Sequence, residues 1–295
     1  MGARDHLTPP ADPGTNAAVD DREYGFLEKD FRRVRRLIYR RAGIHLSEHK
    51  QNMVYSRLSR RLRVHGMESF TEYLDRLEAD AQFGAAEEQE FVNALTTNLT
   101  SFFREAHHFP VLEEFLRNRA SPAPPLVWCA AASTGEEPYS IAIAMSEAAG
   151  SRPAGSLLAT DIDTNVLATA AGATYRLEAA QVCGEGRLRR FFLRGAGANE
   201  GMVRVRPELS QLVRFAQLNL LDEEWPLLRS FSPQLDAVFC RNVMIYFDRK
   251  TQKEILHRMV RLIRPGGLLF VGHSENFTDC HESLSLRGKT VYQRK

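Results

Sequence analysis

Residues Leu126–Asp163 leave this chain little choice of architecture. The stretch opens with Leu-Val-Trp-Cys-Ala-Ala-Ala, an apolar run ending in small residues, and turns through Ser133-Thr-Gly-Glu-Glu-Pro138. A helical pattern runs from Tyr139 to Glu147. A second apolar run, Leu157-Leu-Ala-Thr-Asp161-Ile-Asp163, ends in acid. Strand, turn, helix and strand in that order make one βαβ unit, with a ligand-sized turn after its first strand.

The chemistry of that turn narrows the ligand. A dinucleotide site uses several glycines so that backbone can approach a pyrophosphate at a helix start. Here there is one, Gly135, followed by two carboxylates. Glu136 and Glu137 would repel a phosphate and suit a ligand with cationic groups and no phosphate, such as S-adenosylmethionine (SAM), with its ammonium and sulfonium. Asp161 ends the second strand, where it can accept hydrogen bonds from ribose hydroxyls. Acids also favour a helix N-terminus, and for Glu137 the two readings stand level. Glu136 and Asp161 are assigned to the ligand because they share the carboxyl ends of adjacent strands, where open α/β sheets bind ligands.

The chain has 295 residues, room for one large domain or two smaller ones. At 43% hydrophobic and 26% charged residues the balance is that of a soluble globular protein. No apolar run approaches the roughly 20 residues that span a bilayer, and the N-terminus has no signal-peptide core. A cytoplasmic protein is expected. The four cysteines, Cys129, Cys183, Cys240 and Cys280, are scattered without a Cys-x-x-Cys pair. They read as buried thiols in a reducing compartment, and no metal is expected. Net charge is only +2, but Lys29–Arg63 holds twelve Lys/Arg and two Asp/Glu, a local +10 that leaves −8 for the remainder. Such asymmetry points to an acidic partner for the N-terminal region.

Residues 1–20 read as a disordered leader. Residues 21–90 read as an all-helical domain. Phe31, Val34, Leu37 and Ile38 repeat at three and four before Gly43. Ser47 begins a second helix, with Val54, Leu58 and Leu62 as its stripe and Arg57, Arg60 and Arg61 on another face, a candidate docking surface. Ser69 caps a third. Residues 91–125 form a helical linker to the site, with one helix over Phe91–Thr100, another beginning near Pro110, and the linker Ser121–Pro125. Residues 126–295 then form the α/β domain. Within it, Thr164 caps a short helix, and a small antiparallel β insertion at about 173–212 interrupts the alternation. Further core strands follow at Val213–Asn219, Leu235–Asn242 and Leu268–Val271. A helix after Asp248 stops at Pro265-Gly-Gly267, and a hairpin closes the chain.

Glu136, Asp161, Asn219 and Asn242 follow one another at strand ends, as a doubly wound nucleotide-binding sheet would place them. Val-Met-Ile-Tyr246 brings a phenol to the same rim. His107, His108 and His273 read as hydrogen-bonded or exposed histidines rather than ligands. No Ser/His/Asp triad is identifiable. The Asn/Asp-Pro-Pro-Tyr tetrapeptide of many nucleic-acid methyltransferases is absent.

Five motifs carry a resemblance: Asn98-Leu-Thr-Ser-Phe-Phe-Arg-Glu, Ala130-Ala-Ala-Ser-Thr-Gly-Glu-Glu-Pro-Tyr-Ser, Ala159-Thr-Asp-Ile-Asp, Phe239-Cys-Arg-Asn-Val-Met-Ile-Tyr-Phe and Gly272-His-Ser-Glu-Asn-Phe. In that order, and across roughly 25–295, the chain resembles the CheR family of chemotaxis receptor methyltransferases. The resemblance implies an all-α N-terminal domain before a Rossmann-like class I SAM-dependent methyltransferase sheet with an inserted β subdomain. It implies methyl transfer from SAM, leaving S-adenosylhomocysteine (SAH), to glutamate side chains of methyl-accepting chemotaxis receptors. Asn98, Thr100, Arg104, Glu136, Asp161, Asn219, Leu220, Arg241 and Asn242 would line the SAM site, with Arg104 and Tyr246 nearest the reacting groups. In some family members the β subdomain also docks a peptide at the receptor C-terminus. The competing readings are a nucleic-acid methyltransferase, with the basic helices on phosphate, and a non-catalytic receptor adaptor. The motifs weigh against the first and the intact site positions against the second.

Overall fold

The structure, a computed structural model, describes residues 22–231, 235–275, 277 and 282–295; the expected leader and Cys280 lie outside them. Four helices open the fold. α1 (Glu28–Ala42) buries the expected stripe and ends where Gly43 adopts φ 67°, a left-handed turn that costs glycine little. A 3₁₀ turn, Glu48–Lys50, leads into α2 (Gln51–His65), which buries Val54, Leu58 and Leu62. Ser69 caps α3 (Phe70–Ala79) by accepting the Glu72 N–H at 3.1 Å. Asp80 caps α4 (Ala81–Leu95) through the N–H groups of Gln82 and Phe83. One core holds the four together, with Phe31, Phe70, Tyr73 and Phe91 sealed at its centre.

The helix expected over Phe91–Thr100 stops at Leu95. Thr96 is extended, and the side chains of Thr96 and Asn98 donate to Asp163 Oδ2 at 2.6 and 2.7 Å. That pull toward the second domain replaces the helical ladder.

After α5 (His108–Arg117) the chain enters the expected βαβ unit: β1 (Leu126–Cys129), α6 (Glu136–Ala149) and β2 (Ser156–Asp161). α7 (Thr164–Gly172) follows, capped by Asp163 rather than by Thr164 as expected. The Asp163 carboxylate takes the N–H groups of Asn165 and Val166. Next comes β3 (Thr174–Arg176), α8 (Leu177–Ala180), α9 (Glu185–Phe191), β4 (Phe192–Arg194), β5 (Met202–Val205) and α10 (Pro207–Ser210). The three strands form a separate antiparallel sheet in the order β3-β5-β4, the inserted β subdomain. β6 (Val213–Gln217), β7 (Leu235–Cys240), α11 (Arg249–Leu262), β8 (Ile263–Val271), β9 (Leu284–Gly288) and β10 (Val291–Arg294) complete the chain.

The main sheet runs β6-β2-β1-β7-β8-β10-β9, parallel from β6 through β8 and antiparallel in the closing hairpin. From β1 the chain proceeds outward to β2 and later resumes on the other side at β7. The order reverses beside β1, and the crevice at a reversal is where such sheets bind ligands. β7 is buried at every position, as a central parallel strand should be. Its Asp236 is neutralised by Arg119 and Arg264, each at 2.7 Å.

The helical domain sits over the carboxyl ends of these strands. The His45 N–H donates to Tyr246 O at 2.9 Å, the Tyr39 hydroxyl to Asp248 at 2.6 Å, and Asn219 Nδ2 to Arg41 O at 2.8 Å. Gln89 Nε2 reaches Ile162 O at 2.9 Å.

Much of the sequence-local positive charge is met by acids from α3, α4 and the N-terminal approach. Arg33 pairs with Glu78 at 2.6 Å, Arg41 with Glu88 at 3.0 Å, Arg61 with Glu87 at 2.6 Å and Arg63 with Glu23 at 2.6 Å. Arg57 Nη1 donates to the carbonyls of Ala94 and Thr96, closing the C-terminal end of α4. Of the three arginines expected as a docking face, Arg57 and Arg61 are therefore turned to the protein itself. Arg60 is exposed and has no partner among the described residues.

Candidate active site

A cavity of about 250 Å³ opens at the sheet reversal. Its floor comes from the ends of β1, β2 and β7, and its roof from the loop between α1 and α2 and the first turn of α2, where His45, Lys50 and Met53 face it. The sequence reading placed no residue of the helical domain on the cofactor, because nothing in α1 or α2 shows that their connecting loop folds over a distant strand end.

The βα turn is built for close packing. Ser133 has φ 47° and Gly135 φ 99°. A Cβ at Gly135 would stand 2.5 Å from the Tyr175 hydroxyl, which itself donates to Thr134 O at 2.9 Å. The single glycine of the turn thus lets the inserted subdomain press on it. Asp161 fixes the turn from the next strand, accepting the Ser133 N–H at 2.8 Å and the Asp163 N–H at 3.0 Å. Burial raises the Asp161 pKa, against those two hydrogen bonds. A carboxylate offers about four lone-pair sites, so acceptor capacity remains for a ligand in the cavity.

The adjacent acids part company. Glu137 faces the cavity and is buried, with its carboxylate 2.9 Å from Arg241 Nη1. Burial raises its pKa more than Arg241 lowers it. Glu136 is not on the cavity wall; its carboxylate accepts from Thr134 Oγ1 at 2.6 Å. One helical residue of difference rotates a side chain by about 100°, and the spacing alone could not tell which acid points inward.

Arg241 is the buried cation of the floor. Besides Glu137 it donates to Arg104 O at 2.6 Å and lies 3.5 Å from Glu105. For Glu105, burial works against charge, but Arg241 and His273 together hold its pKa below the usual value. Asn242 follows with φ 57°, its amide 3.4 Å from Glu105. Asn98, Thr100, Arg104, Asn219, Leu220 and Tyr246 all reach the cavity. Asn98 is anchored to Asp163, and Arg104 Nη1 to Leu99 O at 2.8 Å. The structure therefore gathers every expected cofactor and catalytic residue except Glu136 around one space.

Three residues given no role in the sequence reading support it: Asp163, which ties Thr96, Asn98 and α7 together; Glu105; and Glu275, whose buried carboxylate accepts four backbone N–H groups. Their signal lay in the motifs Asp161-Ile-Asp163, Arg104-Glu105 and His273-Ser-Glu275, read for resemblance but not for hydrogen bonding.

Glu105, His107 and His108 form a group of ligand-type side chains. The Nε2 atoms of both histidines lie near Lys289 O, at 3.3 and 3.2 Å, and Arg241 already faces Glu105.

Two family models cover almost the whole described chain. "CheR methyltransferase, all-alpha domain" matches residues 29–96 and "CheR methyltransferase, SAM binding domain" matches residues 98–293. The chain belongs to the CheR methyltransferase family. It is similar to the chemotaxis protein methyltransferase of Salmonella typhimurium, at 54% identity over 89% of this chain and 88% of that protein. The Escherichia coli protein of the same name is 52% identical, over 89% of each chain. Chemotaxis protein methyltransferase 2 of Pseudomonas aeruginosa is 51% identical, over 92% of this chain and 95% of that one.

As a CheR methyltransferase, the chain is a SAM-dependent enzyme, and its cavity suits that donor. Two acids raised in pKa, half-buried Asp161 and buried Glu137, face a space otherwise walled by apolar groups such as Ala130, Leu218 and Leu220. Hydroxyl and ammonium donors would relieve those carboxylates, and apolar walls accept a purine. Among the described residues, no helix is long and apolar enough to cross a membrane.

Proposed function

We propose that this CheR methyltransferase modifies glutamate side chains in the cytoplasmic helical region of methyl-accepting chemotaxis receptors, leaving glutamate methyl esters. The observation that carries this reading is that Arg104 and Tyr246 line the same cavity as Asp161, Glu137 and Arg241. SAM supplies an electrophilic methyl group on a sulfonium. A glutamate, with an unperturbed pKa of about 4.3, is already ionised at neutral pH, so the chain needs no strong general base. Its residues have three tasks: to hold the carboxylate in line, to exclude water, and to avoid over-stabilising charges that the reaction consumes. Arg104 can bind the incoming carboxylate and Tyr246 can orient it through the phenol, which has no hydrogen-bond partner among the described residues. Arg60, with Lys50 at the cavity, is suited to attract an acidic receptor helix. Arg57 and Arg61, tied to α4, would act by fixing that surface. The outer strands β3 and β4 of the inserted sheet have the form that can accept a receptor C-terminal peptide as an added strand.

The test is to offer methyl-labelled SAM with receptor cytoplasmic fragments and, separately, with DNA and RNA, then apply mild base. Volatile methanol from the receptor samples is expected. Label retained on nucleic acid would indicate base methylation, and no incorporation anywhere would indicate an adaptor; either result would overturn the reading.

A further inference from the structure

A second hollow lies at the other end of α6. The cofactor cavity meets that helix at Glu137 and the hollow meets it at Ser146, nine residues or roughly 14 Å along the axis. Its volume is about 480 Å³, and it is lined by Arg152, Arg189, Arg190 and Arg206, with Ser146 and Glu208. That volume falls within the range of small-molecule sites, about 300–1,000 Å³.

What distinguishes the four arginines is that they share one hollow with little acid against them. Elsewhere several crowded arginines have a carboxylate close by, as with Arg61 and Glu87 at 2.6 Å, Arg187 and Glu147 at 2.7 Å, or Arg264 and Asp236 at 2.7 Å, and others such as Arg57 donate to backbone carbonyls. In the hollow, Arg189 reaches Glu185 only at 3.5 Å, both side chains being largely exposed. Arg190 lies over the Phe191 ring, 4.9 Å from its centre. Arg152 and Arg206 have no carboxylate partner among the described residues. Arg206 Nε is buried with no hydrogen-bond acceptor, an arrangement that proteins avoid unless something completes it. The four guanidinium groups face one lining carboxylate, Glu208, and Glu185 beside Arg189 is shared with Arg194 at 3.9 Å, which leaves about two positive charges uncompensated around one concave space. A single carboxylate would balance half of that, whereas a phosphate group carries close to two negative charges at neutral pH. The planar guanidinium fork also matches phosphate oxygens two at a time.

We propose that this hollow binds a phosphorylated small molecule, with Arg190 and Arg206 as its main phosphate contacts. The site is separate from the methyl-donor cavity, whose acids disfavour phosphate. It therefore gives the enzyme a second ligand, of opposite charge preference, at the far end of the helix that carries Glu137.

The experiment is calorimetry on the full chain saturated with SAH, so that the donor cavity is closed to nucleotides. The probes are inorganic pyrophosphate, ATP and GTP at physiological ionic strength, with a glutamate-rich peptide as a fourth arm. Binding of pyrophosphate or a nucleotide is expected, weakened at least about tenfold in the double variant Arg190→Gln, Arg206→Gln, with SAH affinity unchanged. A nucleotide that binds more tightly than pyrophosphate identifies a nucleotide as the source; equal affinity identifies the phosphate alone. If that variant no longer binds SAH, and so does not fold, Arg152→Gln with Arg189→Gln replaces it, since both side chains are exposed. No binding of any phosphate compound, equal binding by a folded variant, or binding of the acidic peptide alone would each overturn the proposal.

Discussion

Glu275 Oε1 accepts the backbone N–H of Met244 at 2.8 Å, and through this contact β8's C-terminal turn holds the segment that carries Asn242 and Tyr246. The same carboxylate takes the N–H groups of Val243 and Asn242 at 3.0 Å and of Gly272 at 2.6 Å. Burial raises the Glu275 pKa, and the four donors oppose that rise. A glutamine there must turn its NH₂ toward two of those N–H groups. Each charge-assisted bond lost costs about 1.5–3 kcal/mol. Glu275→Gln should therefore lower unfolding free energy by about 3 kcal/mol and reduce turnover more than SAH affinity. Denaturation and kinetics matching the wild type would show that the loop needs no such anchor.

Gly43 joins the helical roof to the same loop from the other side. It has φ 67°, and a Cβ would stand 2.8 Å from Phe247 and 2.9 Å from Leu221. Gly43→Ala thus combines left-handed strain with overpacking, about 1–3 kcal/mol. Urea unfolding should show a loss in that range, with weaker SAH binding as the roof lifts. A neutral or stabilising substitution would mean that the two domains do not meet this closely.

His108 sets an acid limit on stability. It is fully buried, with Nε2 near Lys289 O and Thr290 Oγ1, and burial, reinforced by Arg241, lowers its pKa from 6.5 to about 4. The unfolded chain takes up this proton near 6.5 while the folded chain resists it down to about 4. The unfolded state binds more protons across that window, so this contribution is complete above pH 6.5 and is lost as pH falls toward 4. His108→Gln should flatten the pH dependence of unfolding free energy between those limits. Equal slopes in variant and wild type would remove His108 from the acid response.

These residues show what could and could not be read in advance. The βαβ unit, the Gly43 stop and the Ser69 cap were legible because each is a local rule about periodicity or backbone. The end of α4 was not, since Thr96 leaves the helix for Asp163, 67 residues away. The basic face was overdrawn for the same reason: Glu78, Glu87 and Glu88 lie outside the window in which charge was counted, yet fold against it. At the site, strand-end positions located Asp161, Asn219 and Asn242, whereas the choice between Glu136 and Glu137 depended on helix rotation. Anchors such as Glu275 act on backbone N–H groups, which leave no mark in a sequence pattern.

Tyr246 belongs to the chemical step if its phenol orients the substrate carboxylate. Tyr246→Phe keeps the ring and removes only the hydroxyl. Turnover should fall about tenfold or more while SAH affinity stays within about twofold, the pattern of an interaction made in the transition state. Equal turnover would return the ring to a packing role.

The most direct measurement concerns Asp161, on which the assignment of the whole cavity rests. Asp161 accepts the N–H groups of Ser133 and Asp163 and lines the cavity assigned to the methyl donor. An amide cannot accept at both oxygen positions. Calorimetric titration of SAH into folded Asp161→Asn should show affinity weakened by more than about 1.5 kcal/mol, the lower end for a charge-assisted hydrogen bond. Wild-type affinity in that variant would contradict the placement of SAM in this cavity.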